Sequence, residues 1–164
     1  MQTIDPKELR VAFSSYPTGV TVVTARRADG TPVGFTANSF SSVSLDPPLL
    51  LVCPGKFLSS YSAFAECTRF AVNVLAQGQD DIADVFARSK GDRFAQVAHR
   101  IDAHGLPLIN NAAAQFSCQT HRSIPMGDHS ILIGQVLEFT QNDPLGLGYG
   151  GGRYLNLAPQ LAAE

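Results

Sequence analysis

The chain has 164 residues, 45% hydrophobic and 16% charged, with a formal net charge of −2. That length buries a core without staples and fits one domain over 1–164, while scattered basic residues give no nucleic-acid footprint. The three cysteines form no CxxC pair, the opening MQTIDPKELRVAF is no signal peptide, and no apolar run nears the roughly 20 residues of a membrane helix, so a reduced cytoplasmic setting without membrane partners is expected.

Asp5-Pro6-Lys7-Glu8 opens a helix, with Asp5 as cap, Pro6 in the first turn and Glu8 able to reach back. Leu9, Ala12 and Phe13 form its apolar stripe, and it should end before Pro17. Gly19 to Ala25 is short and β-branched, which predicts a strand; Asp29-Gly30 turns the chain into a returning strand over Val33 to Ser39. Pro48 to Cys53 is continuously apolar and reads as a strand buried on both faces. Ser59 to Glu66 reads as a short helix with Tyr61 and Phe64 or Ala65 inward.

Arg69 to Leu75 alternates as a strand, and Asp80 to Ala87 places Ile82, Val85 and Phe86 on one helical face. Arg88 to Arg100 is polar, contains Gly91 and predicts a loop or broken helix. Ala114 to Thr120 should turn Ala114, Phe116 and Cys118 inward, and Ser130 to Phe139 is a long strand in which Gly134 marks a bulge or close backbone approach. Gly146 to Gly152 is mobile by composition, and Arg153 to Leu157 closes the sheet. With the chain ending soon after, no further cofactor domain is expected. About six strands in adjacent pairs fit an antiparallel barrel with a few short flanking helices better than βαβ alternation.

The stretch GFTANSFSSVSLDPPLLLVC, Gly34 to Cys53, crowds small hydroxyl residues between two apolar strands. Small side chains let a flat ligand approach the backbone. Lys56 with Ser59 and Ser60 at a helix start offers a cation, hydroxyls and a positive helix end to an anion. A flat, polar-edged ring with a phosphate tail has that shape. On composition alone, hydroxyls decorating a turn beside a solvated Lys56 remain the preferred account.

The order of the residues reverses that preference. Tyr16 to Thr24 (YPTGVTVVT), Gly34 to Leu49, Arg69 to Leu75, Gly91-Asp-Arg-Phe94, Gly105-Leu-Pro-Leu108, Gly127-Asp-His129 and Gly152-Arg-Tyr154 together resemble the flavin reductase-like family, which has a split-barrel FMN-binding fold. The resemblance spans nearly the whole chain and is most specific over Thr36 to Leu49.

It implies an antiparallel split β-barrel and an NAD(P)H:flavin oxidoreductase. Such proteins reduce FMN or FAD with NADH or NADPH and pass free reduced flavin to a separate monooxygenase. It also implies a homodimer with the site near the subunit interface. By position, Thr36, Ala37, Asn38 and Ser39, joined by Ser42, would contact the flavin ring largely through backbone groups. Cys53, Pro54, Lys56, Ser59 and Ser60 would follow the ribityl chain and hold the phosphate, and Asn73 and Phe94 would complete the pocket. His129 and Tyr154 would lie on the nicotinamide side, His129 as the candidate catalytic group and more a positioner than a proton carrier. The alternative is a flavin-binding electron carrier without reductase turnover, since one fold hosts several uses.

Other constellations carry less. Cys118, His121 and His129 match no familiar zinc spacing, so no metal is expected. His99 and His104 read as solvated, and Gly150-Gly-Gly152 lacks the strand–turn–helix setting of a dinucleotide fingerprint. Glycines crowd the segment before Gly152-Arg-Tyr154, where many relatives carry bulkier or basic residues; this points to a flexible lid, with Tyr149 supplying an aromatic.

Overall fold

The computed structural model describes residues 4–142 and 144–157. Helix α1 (Pro6–Phe13) begins as its sequence suggests, with Asp5 Oδ1 accepting from the Lys7 amide at 2.7 Å. Its apolar stripe does not enter the core: no residue of α1 is buried, and Val11 and Phe13 are 69% and 70% exposed.

The strands follow as β1 (Thr18–Gly19), β2 (Thr21–Arg26), β3 (Pro32–Ala37), β4 (Ser41–Leu45) and β5 (Pro48–Val52). Then come α2 (Tyr61–Glu66), β6 (Arg69–Val74), α3 (Asp80–Arg88), β7 (His99–Ile101) and β8 (Pro107–Ile109). Two 13-residue strands, β9 (Ala114–Met126) and β10 (His129–Gln141), form a long hairpin, and β11 (Gly148–Gly150) and β12 (Arg153–Leu155) finish the described chain. Among the described residues twelve strands thus stand where about six were expected. The additions are mostly short pairings without a long periodic signal, such as β7 with β8 and β1 with β11.

Seven strands make one antiparallel sheet in the order β3-β2-β6-β9-β10-β5-β4. Its edges, β3 and β4, are joined only by residues 38–40. A flat seven-stranded sheet would hold its edges roughly 29 Å apart, whereas four Cα steps reach at most roughly 15 Å. The sheet therefore curls, and its ladder stays open between β3 and β4: an antiparallel barrel with a split. The residues at that split are the hydroxyl-rich stretch.

One core lies inside the curl, where Phe35 meets Phe64 edge-on at 4.8 Å between ring centroids, with Phe70 and Cys118 fully buried beside them. A second core packs α3 and the loop after it onto β2 through Val22, Phe86 and Phe94. In α2, Ala63 and Phe64 turn inward while Ala65 is exposed.

Two inward patterns differ from expectation. β5 is not buried on both faces: Leu50 and Val52 are buried, Leu49 and Leu51 half-buried and Pro48 exposed, because β5 lies one strand from the split. On β9, Cys118 is buried, but so are Gln115 and Ser117, while Ala114 and Phe116 are half-buried. The β7–β8 region covers the second face there, with Ser117 Oγ donating to Asp102 and Gln115 Nε2 to the Ile109 carbonyl at 2.6 Å. At Gly134 the close-approach reading holds: a Cβ there would lie 2.5 Å from Phe70 Cζ, and the register shift beside it leaves His121 of β9, not a residue of β10, unpaired. The glycine-rich segment is in part regular strand, β11 pairing with both β1 and β12.

Candidate functional site

β3 alternates, so Gly34, Thr36 and Asn38 lie on the side that α3 covers while Phe35 and Ala37 point into the first core. Thr36 Oγ1 donates to the Ala83 carbonyl on α3 at 2.6 Å. The Ala37 carbonyl accepts from Thr21 Oγ1 at 2.9 Å, and Ser39 Oγ accepts from the Cys53 amide at 2.9 Å. These hydroxyls are spent inside the protein. What the stretch presents outward is backbone at a sheet edge, where ladder groups lack a strand partner.

Thr36, Ala37 and Asn38 line a cleft of about 800 Å³ together with His129, Tyr149 and Tyr154. Five residues singled out from the sequence for ring or nicotinamide contact therefore meet in one place, though His129 lies 93 positions after Thr36. Arg10, Phe13 and Tyr16, on and after α1, close another wall, so the helix whose stripe misses the core borders the cleft.

His129 opens β10, and its Nδ1 lies 2.7 Å from Asp128 Oδ1. The carboxylate directs the Nδ1 proton to itself and leaves Nε2 for a ligand. That same contact holds the Asp128 carboxyl below the usual carboxylate range. Phe57 meets the imidazole edge-on at 5.6 Å. Tyr154 donates to Asp84 Oδ1 at 2.8 Å, and burial, then the bond to Asp84, push its phenol up to about 12.

The Pro54–Lys56 segment is zipped onto the β9–β10 turn. Ser130 N donates to the Pro54 carbonyl at 3.0 Å, and Lys56 N to the Asp128 carbonyl at 2.8 Å. Lys56 Nζ itself donates to the Gly127 carbonyl at 2.7 Å. Helix α2 is only six residues long, and its Ser60 cap makes no side-chain capping bond.

Ser59, Ser60 and Phe94 line a second cavity of about 590 Å³, beside Gly34. Arg88, at the end of α3, lines both cavities. Phe94 is 7% exposed and packs edge-on against Phe86 and His99, so its ring is mainly core.

Other candidates stand apart from these walls. Ser42 is exposed on β4, beside the register shift between Ser42 and Ser44. Cys53 and Pro54 lie behind the split, where burial pushes the Cys53 thiol up. Asn73 is fully buried: its amide donates to the Val22 carbonyl at 3.0 Å and accepts from Ile109 N at 2.9 Å and Gln115 Nε2 at 3.3 Å. That is a structural role, and it does not bring Asn73 to the cleft. His99 and His104 are half-buried rather than solvated, His99 Nδ1 lying 2.9 Å from the Val97 carbonyl. Cys118 is buried, with its thiol pushed up to about 12, and His121 is exposed.

Sequence reasoning missed Arg10, Arg88 and Arg93. Arg93 sits inside the quoted Gly91–Phe94 motif, so a signal existed there, and Arg93 Nη1 donates to the Gly34 carbonyl at 2.8 Å. Arg10 and Arg88 carry no motif; only the fold brings them to the cleft.

The model of the flavin reductase like domain matches residues 13–158. The chain belongs to that family. Its relatives include the reductase component of a flavin-dependent trigonelline monooxygenase from Acinetobacter baylyi, 51% identical over 93% of this chain and 49% of that protein. An FMN reductase (NADH) from Agrobacterium fabrum is 41% identical over 90% of this chain and 84% of that protein. A solved NADH:FAD oxidoreductase from Streptomyces globisporus, in complex with NAD and FAD fragments, matches with a TM-score of 0.89 and 41% identity, covering 98% of this chain and 99% of that one. The chain spans about half the length of the first curated relatives it matches. Among the described residues no helix is long and apolar enough to cross a membrane.

Proposed function

We propose that residues 1–164 form one flavin-binding domain that works as an NAD(P)H:flavin oxidoreductase, reducing FMN or FAD and supplying free reduced flavin to a partner monooxygenase. The observation that carries this reading is the cleft at the barrel split. It joins backbone of Thr36–Asn38 with His129 and Tyr154 in about 800 Å³, within the roughly 300–1,000 Å³ range of small-molecule sites.

The residues fit a flavin. Backbone at the open edge of β3, along Thr36–Asn38, suits the polar edge of a flat ring, and Ala37, turned into the core, puts no side chain in its way. Ser39, Ser42, Cys53, Pro54 and Asn73 would shape or support the site from behind, while Lys56, Ser59 and Ser60 would serve the tail side. Bound flavin and nicotinamide supply the hydride-transfer chemistry, which needs their rings stacked in contact. The protein's part is orientation: His129 Nε2 is available to position a nicotinamide carboxamide, and Asp128 sets the imidazole's tautomer. Fixed donors near the ring edge favour the charge that grows there on reduction. A diffusible product requires moderate flavin affinity.

A homodimer in the cytoplasm is the setting this reading expects, with α1 and its exposed Val11 and Phe13 available to a second subunit beside the cleft. The test is a steady-state assay with purified protein, both nicotinamides and both flavins. Flavin-dependent oxidation of NADH or NADPH supports the reductase. Flavin binding without turnover supports the carrier alternative.

A further inference from the structure

Phe57 is 75% exposed and belongs to neither core, yet its ring is seated between two fixed neighbours. On one side lies Gly55, where a Cβ would stand 2.4 Å from Phe57 Cε1 and 2.6 Å from Cζ. The φ of Gly55 lies outside the left-handed region, so the backbone itself does not require glycine there. The ring takes the room a side chain would need. On the other side lies His129, whose imidazole the ring meets at 5.6 Å and an interplanar angle of 84°.

The backbone builds this seat. Gly55 and His129 face each other in an isolated antiparallel bridge. Bonds from Ser130 N to the Pro54 carbonyl at 3.0 Å and from Lys56 N to the Asp128 carbonyl at 2.8 Å flank it. The chain then turns: the Gly55 carbonyl accepts from Leu58 N at 3.1 Å, with Lys56 and Phe57 at the centre of the turn. Phe57 is thereby folded back over Gly55 toward the residue that Gly55 faces.

His129 needs such a brace. It lines the cleft, whereas Phe57 does not. Its polar tether is Asp128 Oδ1, 2.7 Å from Nδ1, but the two side chains are 39% and 87% exposed. A pair so open to water and salt holds geometry weakly. One hydrogen bond also fixes only the Nδ1 end of the ring. Edge-on packing against a second aromatic fixes its plane.

We propose that Phe57 is a positioning residue for His129: seated on the bare backbone of Gly55, it sets the plane of the imidazole so that Nε2 faces the cleft while Asp128 holds Nδ1. Its effect falls on the nicotinamide and not on the flavin. The proposal rests on the reductase reading, with His129 on the nicotinamide side.

The experiment compares the parent with Phe57→Ala, Phe57→Tyr, Gly55→Ala, His129→Ala and the Phe57→Ala/His129→Ala double variant. Nicotinamide KM, kcat and the flavin dissociation constant are measured on each. Because Phe57 is exposed, its truncation spares the core. Phe57→Ala should raise the nicotinamide KM roughly two- to fivefold, the worth of one aromatic pair, with a smaller change in kcat and unchanged flavin affinity. Gly55→Ala, which displaces the ring, should do the same, and Phe57→Tyr should stay within about twofold of the parent. The double variant should be no worse than His129→Ala alone, since Phe57 acts only through the imidazole. In the ligand-free protein, NMR of labelled histidine should show His129 ring resonances displaced by the neighbouring aromatic in the parent and in Phe57→Tyr, and relaxed in Phe57→Ala.

Additive losses in the double variant overturn the proposal, because Phe57 then acts without His129. Unmoved His129 resonances overturn it too. A loss in Phe57→Ala that tracks a changed oligomeric state in light scattering assigns the ring to a subunit contact and overturns it as well. A parent that turns over while Phe57→Ala matches its nicotinamide KM sinks the positioning role alone. A parent that oxidises neither nicotinamide sinks the reductase reading and the positioning role with it.

Discussion

Tyr154 donates its hydroxyl to Asp84 Oδ1 at 2.8 Å, stitching β12 to α3 across the mouth of the cleft. Burial and that bond raise the phenol from 10.0 to about 12. The neutral form is therefore favoured in the folded state. Its stabilising contribution is fully present below pH ~10 and is lost as pH rises through about 12. A spectrophotometric titration should show one tyrosine ionising late, absent in Tyr154→Phe, and that variant should lose about 1 kcal/mol. An unchanged titration curve would contradict the bond.

Gly134 lies on β10 beside the register shift that leaves His121 of β9 unpaired, and a Cβ there would meet Phe70 Cζ at 2.5 Å and Cys118 Cβ at 2.8 Å. Both neighbours are fully buried and have little room to give. Gly134→Ala should cost about 1–3 kcal/mol in urea unfolding through overpacking. A loss within experimental error would mean the two long strands can slide apart there.

Asn73 sits at the centre of a buried polar network, bonded to Val22, Ile109 and Gln115. Asn73→Ala strands one buried donor, Ile109 N, while Gln115 Nε2 keeps its bond to the Ile109 carbonyl, and should cost roughly 1–3 kcal/mol in unfolding free energy. Because the side chain does not reach the cleft, folded Asn73→Ala should keep the parent's flavin dissociation constant. A selective loss of flavin affinity without loss of stability would return Asn73 to the site.

His129, paired with Asp128 at 2.7 Å, offers Nε2 to the cleft. In the assay, His129→Ala should raise the nicotinamide KM roughly five- to tenfold, as loss of one oriented hydrogen bond does, with a smaller change in kcat. Turnover and KM both matching the parent would remove His129 from the site.

The long periodic strands, the capped first helix and the close approach at Gly134 were legible because each follows from local chemistry: alternation, Asp5-Pro6, a lone glycine in an apolar run. That Thr36 to Asn38 wall a cleft agrees with the reading of Thr36 to Ser39 as a candidate site, but the use of the hydroxyls was not legible, since it depends on Ala83 and Cys53 lying opposite. The apolar stripe of α1 was legible, but not that it stays exposed, because periodicity reports an apolar face, not what covers it. Burial of Gln115 and Ser117 escaped notice because polar groups enter a core when partners meet them, and Arg100 and Asp102 arrive from a separate hairpin. Asn73 was placed in the pocket by the resemblance alone, and its bonds to Val22, Ile109 and Gln115 depend on the fold.

The central claim is that the barrel's split, where β3 ends, grips a flavin ring. Asn38 is exposed on the cleft wall, so Asn38→Trp fills the opening without entering the core. Titrating FMN and FAD into parent and variant, with circular dichroism confirming the fold, tests the claim most directly. The account predicts saturable binding by the parent and at least about tenfold weaker binding by Asn38→Trp, the loss of ~1.4 kcal/mol of ring contact. Equal affinity of the two proteins for both flavins would contradict it.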